Sequence, residues 1–208
     1  MSELLYSLDA ALFIFCNQSL ANPMFDFLMP LLTDLNKHWW GLSAFGASWL
    51  LLFWKGGRKG RIVAALLLVC ILATDQLNSS FLKAFFHRAR PCHQIGGVPV
   101  VEHIRLLVDC GGGYSFPSSH AANNFGAAFL LSYFYRSWGG AFFLFAGAVG
   151  FSRISVGVHY PSDVLAGGAV GVACAAFIVV VWSLAAAHFP RLDSDPPPAA
   201  EVGPEQGS

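Results

Sequence analysis

Residues 164–187, VLAGGAVGVACAAFIVVVWSLAAA, form an apolar stretch in which Ser183 is the only polar side chain. A helix needs about 20 mostly apolar residues to cross a bilayer, and this stretch is long enough. Pro161 lies just before it and suits the first turn of a helix. We therefore predict a membrane span over Pro161–Ala187.

The composition of the whole chain supports a membrane protein. The 208 residues are 55% hydrophobic and only 12% charged, and the mean hydropathy is +0.56. That is too apolar for a soluble domain of this length. The 12 basic residues balance the 12 acidic ones, so electrostatics give no support for a nucleic-acid partner.

Other apolar stretches extend the pattern over residues 37–190. Those that meet or approach the length of a span are Trp39–Trp54, Ile62–Ser80, Ser119–Tyr135 and Gly140–Val158. Trp residues bound the first of them, as at a membrane interface. We predict an all-α fold, a polytopic bundle of about five transmembrane helices.

The two ends of the chain have a different character. Residues 1–36 are predicted to form two amphipathic helices at the membrane interface, because polar side chains such as Asp9 interrupt the first apolar run and Pro23 ends it. A true span over Leu4–Leu20 is the alternative. Residues 191–208 are rich in proline and acidic residues and are predicted to be a disordered cytoplasmic tail.

Charge predicts how the bundle is oriented. Lys55, Arg58, Lys59 and Arg61 fall within seven residues between two predicted spans, and such loops are cytoplasmic by the positive-inside rule. The start of the chain lacks a basic region and a small-residue cleavage site, so no cleavable signal peptide is expected. Alternation then places residues 81–117 outside, together with the ends of the later spans.

The first of three polar clusters at that outer edge contains Lys83 and, seven residues later, Arg90 followed by Pro91. Seven residues are close to two helical turns, so we expect the two cations to share a helix face that Pro91 terminates. Cations on one face suit an anionic phosphate. The alternative is that they snorkel to lipid head groups.

The second cluster is Pro117-Ser118-Ser119-His120, which precedes an apolar run. Ser118 is a natural N-cap, and a helix N-terminus favours an anion. His120 would lie in the first turn, where it could donate a proton to a leaving oxygen. An ordinary serine cap with an interfacial histidine is the alternative.

The third cluster is Ser152-Arg153, His159 and Asp163. Asp163, in the first turn of the last span, can reach back to one imidazole nitrogen of His159 and leave the other free to attack. Arg153 can face the same pocket. A capping aspartate with an unrelated histidine is the alternative. Cations, a His–Asp pair and a second histidine together suit phosphate-ester hydrolysis.

Two of the five cysteines, Cys92 and Cys110, bracket the polar connection between two spans. They could form a disulfide if that connection faces an oxidising compartment. Two free thiols are the alternative. A zinc site is disfavoured, since no paired CxxC spacing accompanies them.

The three clusters, in this order and spacing, resemble the type 2 phosphatidic acid phosphatase superfamily of integral membrane lipid phosphatases, whose site architecture vanadium haloperoxidases share. The resemblance covers roughly residues 75–165. It implies that His159 is the nucleophile that forms a phosphohistidine and that Asp163 orients it. It further implies that His120 is the acid for the leaving group and later the base for water.

The resemblance also implies a phosphate-binding set: Lys83, Arg90, Arg153, Ser118 and the backbone at Ser119. The family needs no metal or other cofactor. Its usual residue at position 119 is glycine, which admits close backbone approach, so the serine in this chain makes the fit of phosphate there an open question.

Compact bacterial members of that family act on undecaprenyl diphosphate, phosphatidylglycerol phosphate, phosphatidic acid or lipid A. The expected partners are therefore a lipid phosphate or diphosphate and membrane lipids, in the bacterial cytoplasmic (inner) membrane, with the site on the extracytoplasmic side. The sequence chooses neither the head group nor the oligomeric state. A phosphotransferase between lipids and a non-catalytic lipid-phosphate binder or transporter are the alternative functions.

Overall fold

A computed structural model describes residues 3–188 of the chain. Within this range the chain forms seven helices: α1 Glu3–Ile14, α2 Pro23–Thr33, α3 Trp39–Lys55, α4 Gly57–Phe86, α5 Ser119–Phe134, α6 Gly139–Ser155 and α7 Pro161–His188. A π-helical turn, Phe15–Ser19, extends α1, and another, Leu77–Leu82, lies within α4. The predicted tail at 191–208 lies outside the described residues.

Each of the five predicted spans coincides with a helix, from α3 to α7. Two of these, α4 and α7, are long and apolar enough to cross a membrane by themselves. Large apolar side chains such as Leu72 on α4 and Phe177 on α7 are 70% exposed, as expected of surfaces that face lipid rather than water. The fold is thus a mostly helical membrane bundle.

The N-terminal helices break where the sequence predicts. Pro23 occupies the first turn of α2, and the Asn22 side chain accepts a hydrogen bond from the Phe25 backbone N–H at 3.0 Å. The axes of the α1 and α2 segments differ by 116°. By length and composition the bent pair fits a broken span or a re-entrant loop as well as two interfacial helices. Asp9, Phe13 and Asn17 are buried, so α1 packs onto the bundle.

Helices α5 and α7 pack closely because small residues line their contact. A Cβ added at Gly171 would lie 2.0 Å from the Ala122 carbonyl oxygen, and one at Gly167 would lie 2.3 Å from the Ser118 carbonyl oxygen. Glycine alone therefore permits the observed separation, as is common in membrane helix pairs. This approach brings the first turn of α7 against the N-terminus of α5.

The connection between α4 and α5 is not helical. It contains a short antiparallel hairpin whose strands have two residues each, β1 Gln94–Ile95 and β2 Val98–Pro99. Cys92 and Cys110 form a disulfide across this connection, with their Cα atoms 5.9 Å apart. The bridge joins the segment after α4 to the glycine-rich segment before α5.

The prediction that a helix carries both Lys83 and Arg90 is wrong. Helix α4 ends at Phe86, and His87 adopts a left-handed conformation with φ 48°. The chain therefore leaves the helix axis four residues before Pro91. Arg90 reaches the site from a non-helical segment rather than from a second helical turn.

Candidate active site

The three predicted clusters meet at one end of the bundle. The end of α4, the start of α5 and the start of α7 contribute to this region, together with the turn that follows α6. The Ser118 backbone N–H donates to the Asp163 carbonyl oxygen at 2.9 Å, and the His159 backbone N–H donates to the Arg153 carbonyl oxygen at 3.2 Å. The first bond joins the second cluster to the third. The second bond holds the two parts of the third cluster together.

His159 and Asp163 form the predicted imidazole–carboxylate pair. Nδ1 of His159 lies 3.4 Å from Oδ2 of Asp163, and both side chains are buried. The same Oδ2 accepts the Tyr160 backbone N–H at 2.8 Å, which fixes the carboxylate at the start of α7. With Nδ1 facing Asp163, Nε2 of His159 is the nitrogen left to react.

Ser115 completes this pair and was missed by the sequence analysis. Its hydroxyl donates to Oδ2 of Asp163 at 2.5 Å and lies 3.3 Å from Nδ1 of His159. Because the hydroxyl proton points to the carboxylate, the Ser115 oxygen can accept a hydrogen bond from the N–H at Nδ1. Ser115 thus favours the tautomer in which Nδ1 carries the proton and Nε2 carries the lone pair.

The environment of His159 keeps its ring neutral. The pKa of His159 is lowered from 6.5 to about 4, chiefly by burial and also by the charges of Arg153 and Arg90, while the hydrogen bond to Asp163 and its charge oppose the shift. A neutral imidazole has the free lone pair that a nucleophile requires. At neutral pH His159 is therefore in its reactive form.

Two predicted phosphate-binding arginines are buried and anchored from one side. Arg90 donates to the carbonyl oxygens of Cys110 at 3.1 Å and Gly113 at 3.3 Å, and burial lowers the pKa of its guanidinium. Arg153 donates to the Thr33 hydroxyl at 2.8 Å. Each guanidinium keeps further N–H groups for an anion.

Lys83 joins these arginines. It lies within electrostatic range of both Arg90 and Arg153. Helix α4, which carries Lys83, ends before Arg90, so these two side chains come from different segments. Three cations near a buried imidazole make this region locally positive. Such a region is suited to a doubly charged phosphate.

The N-terminus of α5 supplies the remaining predicted groups. Ser118 caps the helix, its hydroxyl accepting from the Ala121 backbone N–H at 3.5 Å. The Ser119 hydroxyl accepts a hydrogen bond from the Asn78 side chain at 2.8 Å, and the same amide donates to the Pro117 carbonyl oxygen at 3.1 Å. The serine at this position is therefore accommodated by a partner on α4.

His120 follows in the first turn of α5. Its Nε2 is buried and has no hydrogen-bond partner among residues 3–188, and the ring lies within electrostatic range of His159 and Lys83. A buried polar atom that lacks a partner costs free energy. The arrangement is suited to a group that exchanges a proton with a bound ligand.

Arg88 does not join the phosphate-binding cations. The sequence analysis assigned it no role, although it lies between Lys83 and Arg90. It pairs instead with the Asp163 carboxylate at 2.8 Å and the Asp9 carboxylate at 2.5 Å. No spacing rule could have revealed Asp9, which is separated from Asp163 by almost the whole catalytic region.

Sequence comparison identifies the family. The sequence model of the PAP2 superfamily matches residues 63–186, which is more than half of the chain. The chain belongs to the PAP2 superfamily. The match spans all three clusters and confirms the resemblance that they predict.

Individual relatives support the assignment to the PAP2 superfamily. The lipid A 4'-phosphatase of Bacteroides thetaiotaomicron is 33% identical over 82% of this chain and 75% of that protein. The lipid A 4'-phosphatase of Porphyromonas gingivalis is 28% identical over 86% of this chain and 75% of that protein. The crystal structure of Aquifex aeolicus LpxE has a TM-score of 0.66 and 26% identity, covering 83% of this chain and 95% of that one.

These PAP2 similarities identify the protein as a phosphoric ester hydrolase of the membrane. That conclusion agrees with the chemistry of the site. A buried neutral imidazole, a carboxylate behind it and three cations around it are the parts that covalent phosphoryl transfer needs.

Proposed function

We propose that the protein is a lipid phosphatase that hydrolyses a phosphate monoester or diphosphate through a phosphohistidine on His159. The observation that carries the proposal is the buried His159–Asp163 pair, 3.4 Å apart, within electrostatic range of Arg90 and Arg153. A carboxylate at Nδ1 and cations within electrostatic range of the ring both favour attack on phosphorus.

In the first step Nε2 of His159 attacks phosphorus, and the bond from phosphorus to the lipid oxygen breaks. His120 gives a proton to that oxygen, so the lipid leaves as an alcohol, or as a monophosphate when the substrate is a diphosphate. The His159 ring gains positive charge as the N–P bond forms. The Asp163 carboxylate, 3.4 Å from Nδ1, stabilises that charge.

In the second step His120, now neutral, takes a proton from a water molecule. The resulting hydroxide attacks phosphorus, the N–P bond breaks, and inorganic phosphate leaves while the electron pair returns to Nε2. The assigned phosphate-binding groups are Lys83, Arg90, Arg153, Ser118 and Ser119. Their role is to stabilise the charge that the phosphoryl oxygens carry in both transition states.

The substrate class follows from the relatives. Two lipid A 4'-phosphatases match more than four-fifths of the chain, so a phosphorylated saccharide lipid of the lipid A type is the first candidate. The other candidates are undecaprenyl diphosphate, phosphatidylglycerol phosphate and phosphatidic acid. All of them present a phosphate at the membrane surface, where the site would meet it.

The proposed topology has five spans, α3 to α7, within a catalytic domain of residues 37–190, and places α1 and α2 at the interface. Helix α4 has 30 residues and is about 45 Å long at 1.5 Å per residue. It therefore separates the basic loop at Lys55–Arg61 from the site by about one membrane thickness. With that loop in the cytoplasm, the site faces the extracytoplasmic side of the bacterial inner membrane.

The direct test is release of inorganic phosphate by the purified protein from a panel of these lipid phosphates. We expect turnover with a lipid A-type phosphate, in the presence and absence of EDTA. Vanadate should inhibit, because it mimics the five-coordinate phosphoryl group at His159. Strict dependence on added Mg²⁺ would indicate two-metal chemistry and overturn the proposed mechanism. Turnover by His159→Ala would overturn the assignment of the nucleophile.

A further inference from the structure

Asp9, on α1, lies behind the active site with both carboxylate oxygens engaged. One oxygen accepts the Ser162 backbone N–H at 2.9 Å. The other accepts from the Ser162 hydroxyl and from Arg88 at 2.5 Å. The side chain is only 7% exposed. An acid from the N-terminal helix is therefore bonded to the first turn of α7, one residue before Asp163.

Arg88 links this acid to the one behind the nucleophile. One guanidinium nitrogen donates to Oδ1 of Asp163 at 2.8 Å and to the Ser162 hydroxyl at 2.7 Å, while another donates to Asp9. The guanidinium lies 4.0 Å from the centre of the Tyr160 ring, a cation–π arrangement. These contacts commit Arg88 to the Asp9 and Asp163 carboxylates.

The two carboxylate oxygens of Asp163 have different partners, and this difference matters for the mechanism. Arg88 engages Oδ1, so Oδ2 remains for Ser115, the Tyr160 backbone and Nδ1 of His159. The carboxylate cannot rotate without breaking a charge-assisted hydrogen bond in a buried region, and such bonds are the strong ones. Rotation would withdraw Oδ2 from the His159 ring.

We propose that Asp9 and Arg88 are positioning residues for the reaction, which hold Asp163 so that Oδ2 faces His159 throughout phosphoryl transfer. Helix α1 thereby completes the active site instead of only covering it. The inference rests on the proposed function, because it assigns a role behind the proposed nucleophile. It extends the site by two residues, Asp9 and Arg88, to which the three clusters assign no function.

The experiment compares two acids on the N-terminal helices. Asp9→Asn removes the charge that orients Arg88. Asp26→Asn is the control, because Asp26 on α2 also pairs with an arginine of the α4–α5 connection, Arg105 at 2.6 Å, yet has no bond to His159 or Asp163 among the described residues. We expect Asp9→Asn to lower kcat by about 10²-fold, as misplacement of a reacting group can do, with KM near that of the wild type.

Rapid-quench measurement should show the same loss in the rate of phosphohistidine formation. Asp26→Asn should keep both rates near those of the wild type. Equal kcat values for Asp9→Asn and Asp26→Asn would overturn the proposal.

A second variant, Arg88→Lys, separates positioning from folding. It keeps a cation between the Asp9 and Asp163 carboxylates, so the thermal midpoint should stay near that of the wild type. It loses the planar fork with which Arg88 engages both carboxylates, so kcat should still fall while KM stays near that of the wild type. A wild-type kcat in Arg88→Lys would reduce the network to a structural role and overturn the proposal.

The two proposals fail in different ways. Phosphate release by the wild type, abolished in His159→Ala, tests the proposed function whatever the Asp9 variants do. Only if that control behaves as expected does a normal kcat in Asp9→Asn count against the positioning role.

Discussion

Ser119 carries a hydroxyl that Asn78 holds in place at 2.8 Å. Asn78→Ala removes this bond and the bond to the Pro117 carbonyl oxygen, so the start of α5 loses its tie to α4. A hydrogen bond near a charged group contributes about 1.5 kcal/mol, so we expect kcat/KM to fall by about tenfold. Ser119→Gly should cost less, since the backbone N–H remains.

Gln76→Ala is the control for that measurement. Gln76 lies on the same helix but is exposed, and among residues 3–188 its side chain bonds only to Ser80, so its loss should leave kcat/KM unchanged. A value for Asn78→Ala equal to that for Gln76→Ala would contradict the role of Asn78.

The neutral state of His159 predicts a pH dependence of stability. Its pKa is about 4 in the folded protein, against 6.5 ordinarily. Between these values the unfolded chain takes up the proton and the folded protein does not, so stability falls as the pH falls. His159→Gln has no titratable group at this position, so its stability lacks this contribution to the pH dependence. The wild-type thermal midpoint minus that of His159→Gln should therefore be smaller at pH 5 than at pH 7, and an unchanged difference would contradict the burial of a neutral ring.

Sequence reasoning located the residues whose chemistry is rare in an apolar chain. His159, Asp163, His120 and the cations stand out because charged side chains are costly near lipid. Ser115 and Asp9 were missed for different reasons. Serine is common in polar loops and has no diagnostic spacing here, and Asp9 matters only because folding brings α1 onto α7.

At the scale of elements, the disulfide holds the two halves of the α4–α5 connection. It joins Cys92 to Cys110, whose carbonyl oxygen also anchors Arg90. Replacing both cysteines by serine should lower the free energy of unfolding by about 3 kcal/mol, the chain-entropy estimate for a loop of about 19 residues. KM should rise because Arg90 is held less firmly.

Thermal denaturation and phosphate-release kinetics measure these effects, with Cys16→Ser, a free cysteine, as the control. Non-reducing peptide mapping provides an independent check. Separate alkylated peptides for Cys92 and Cys110, from freshly extracted and unreduced protein, would show that the bridge does not form.

Helix positions were predictable and one helix end was not. Apolar composition and length marked α3 to α7 because lipid-facing helices require long apolar runs. The end of α4 depends on the left-handed conformation of His87, which is uncommon for any residue except glycine and has no signal in the local sequence. The nearby proline suggested a later end, and this produced the error at Arg90.

At the scale of the whole molecule, the account predicts which end of the bundle faces outwards. Gln94 on β1 and Lys55 at the end of α3 are both exposed and lie at opposite ends of α4. With the free cysteines Cys16, Cys70 and Cys174 replaced by alanine, Gln94→Cys should react with an impermeant maleimide in intact spheroplasts. Lys55→Cys should react only after permeabilisation. The reverse pattern would place the site in the cytoplasm.

In the proposed mechanism the whole molecule serves one chemical event, the transfer of phosphate to His159. The most direct measurement is to quench the wild-type protein during turnover of a phosphate-labelled lipid, digest it and locate the label. The account predicts acid-labile, base-stable phosphate on the peptide that contains His159, and none in His159→Ala. Acid-stable phosphate, or label on a peptide that lacks His159, would contradict it.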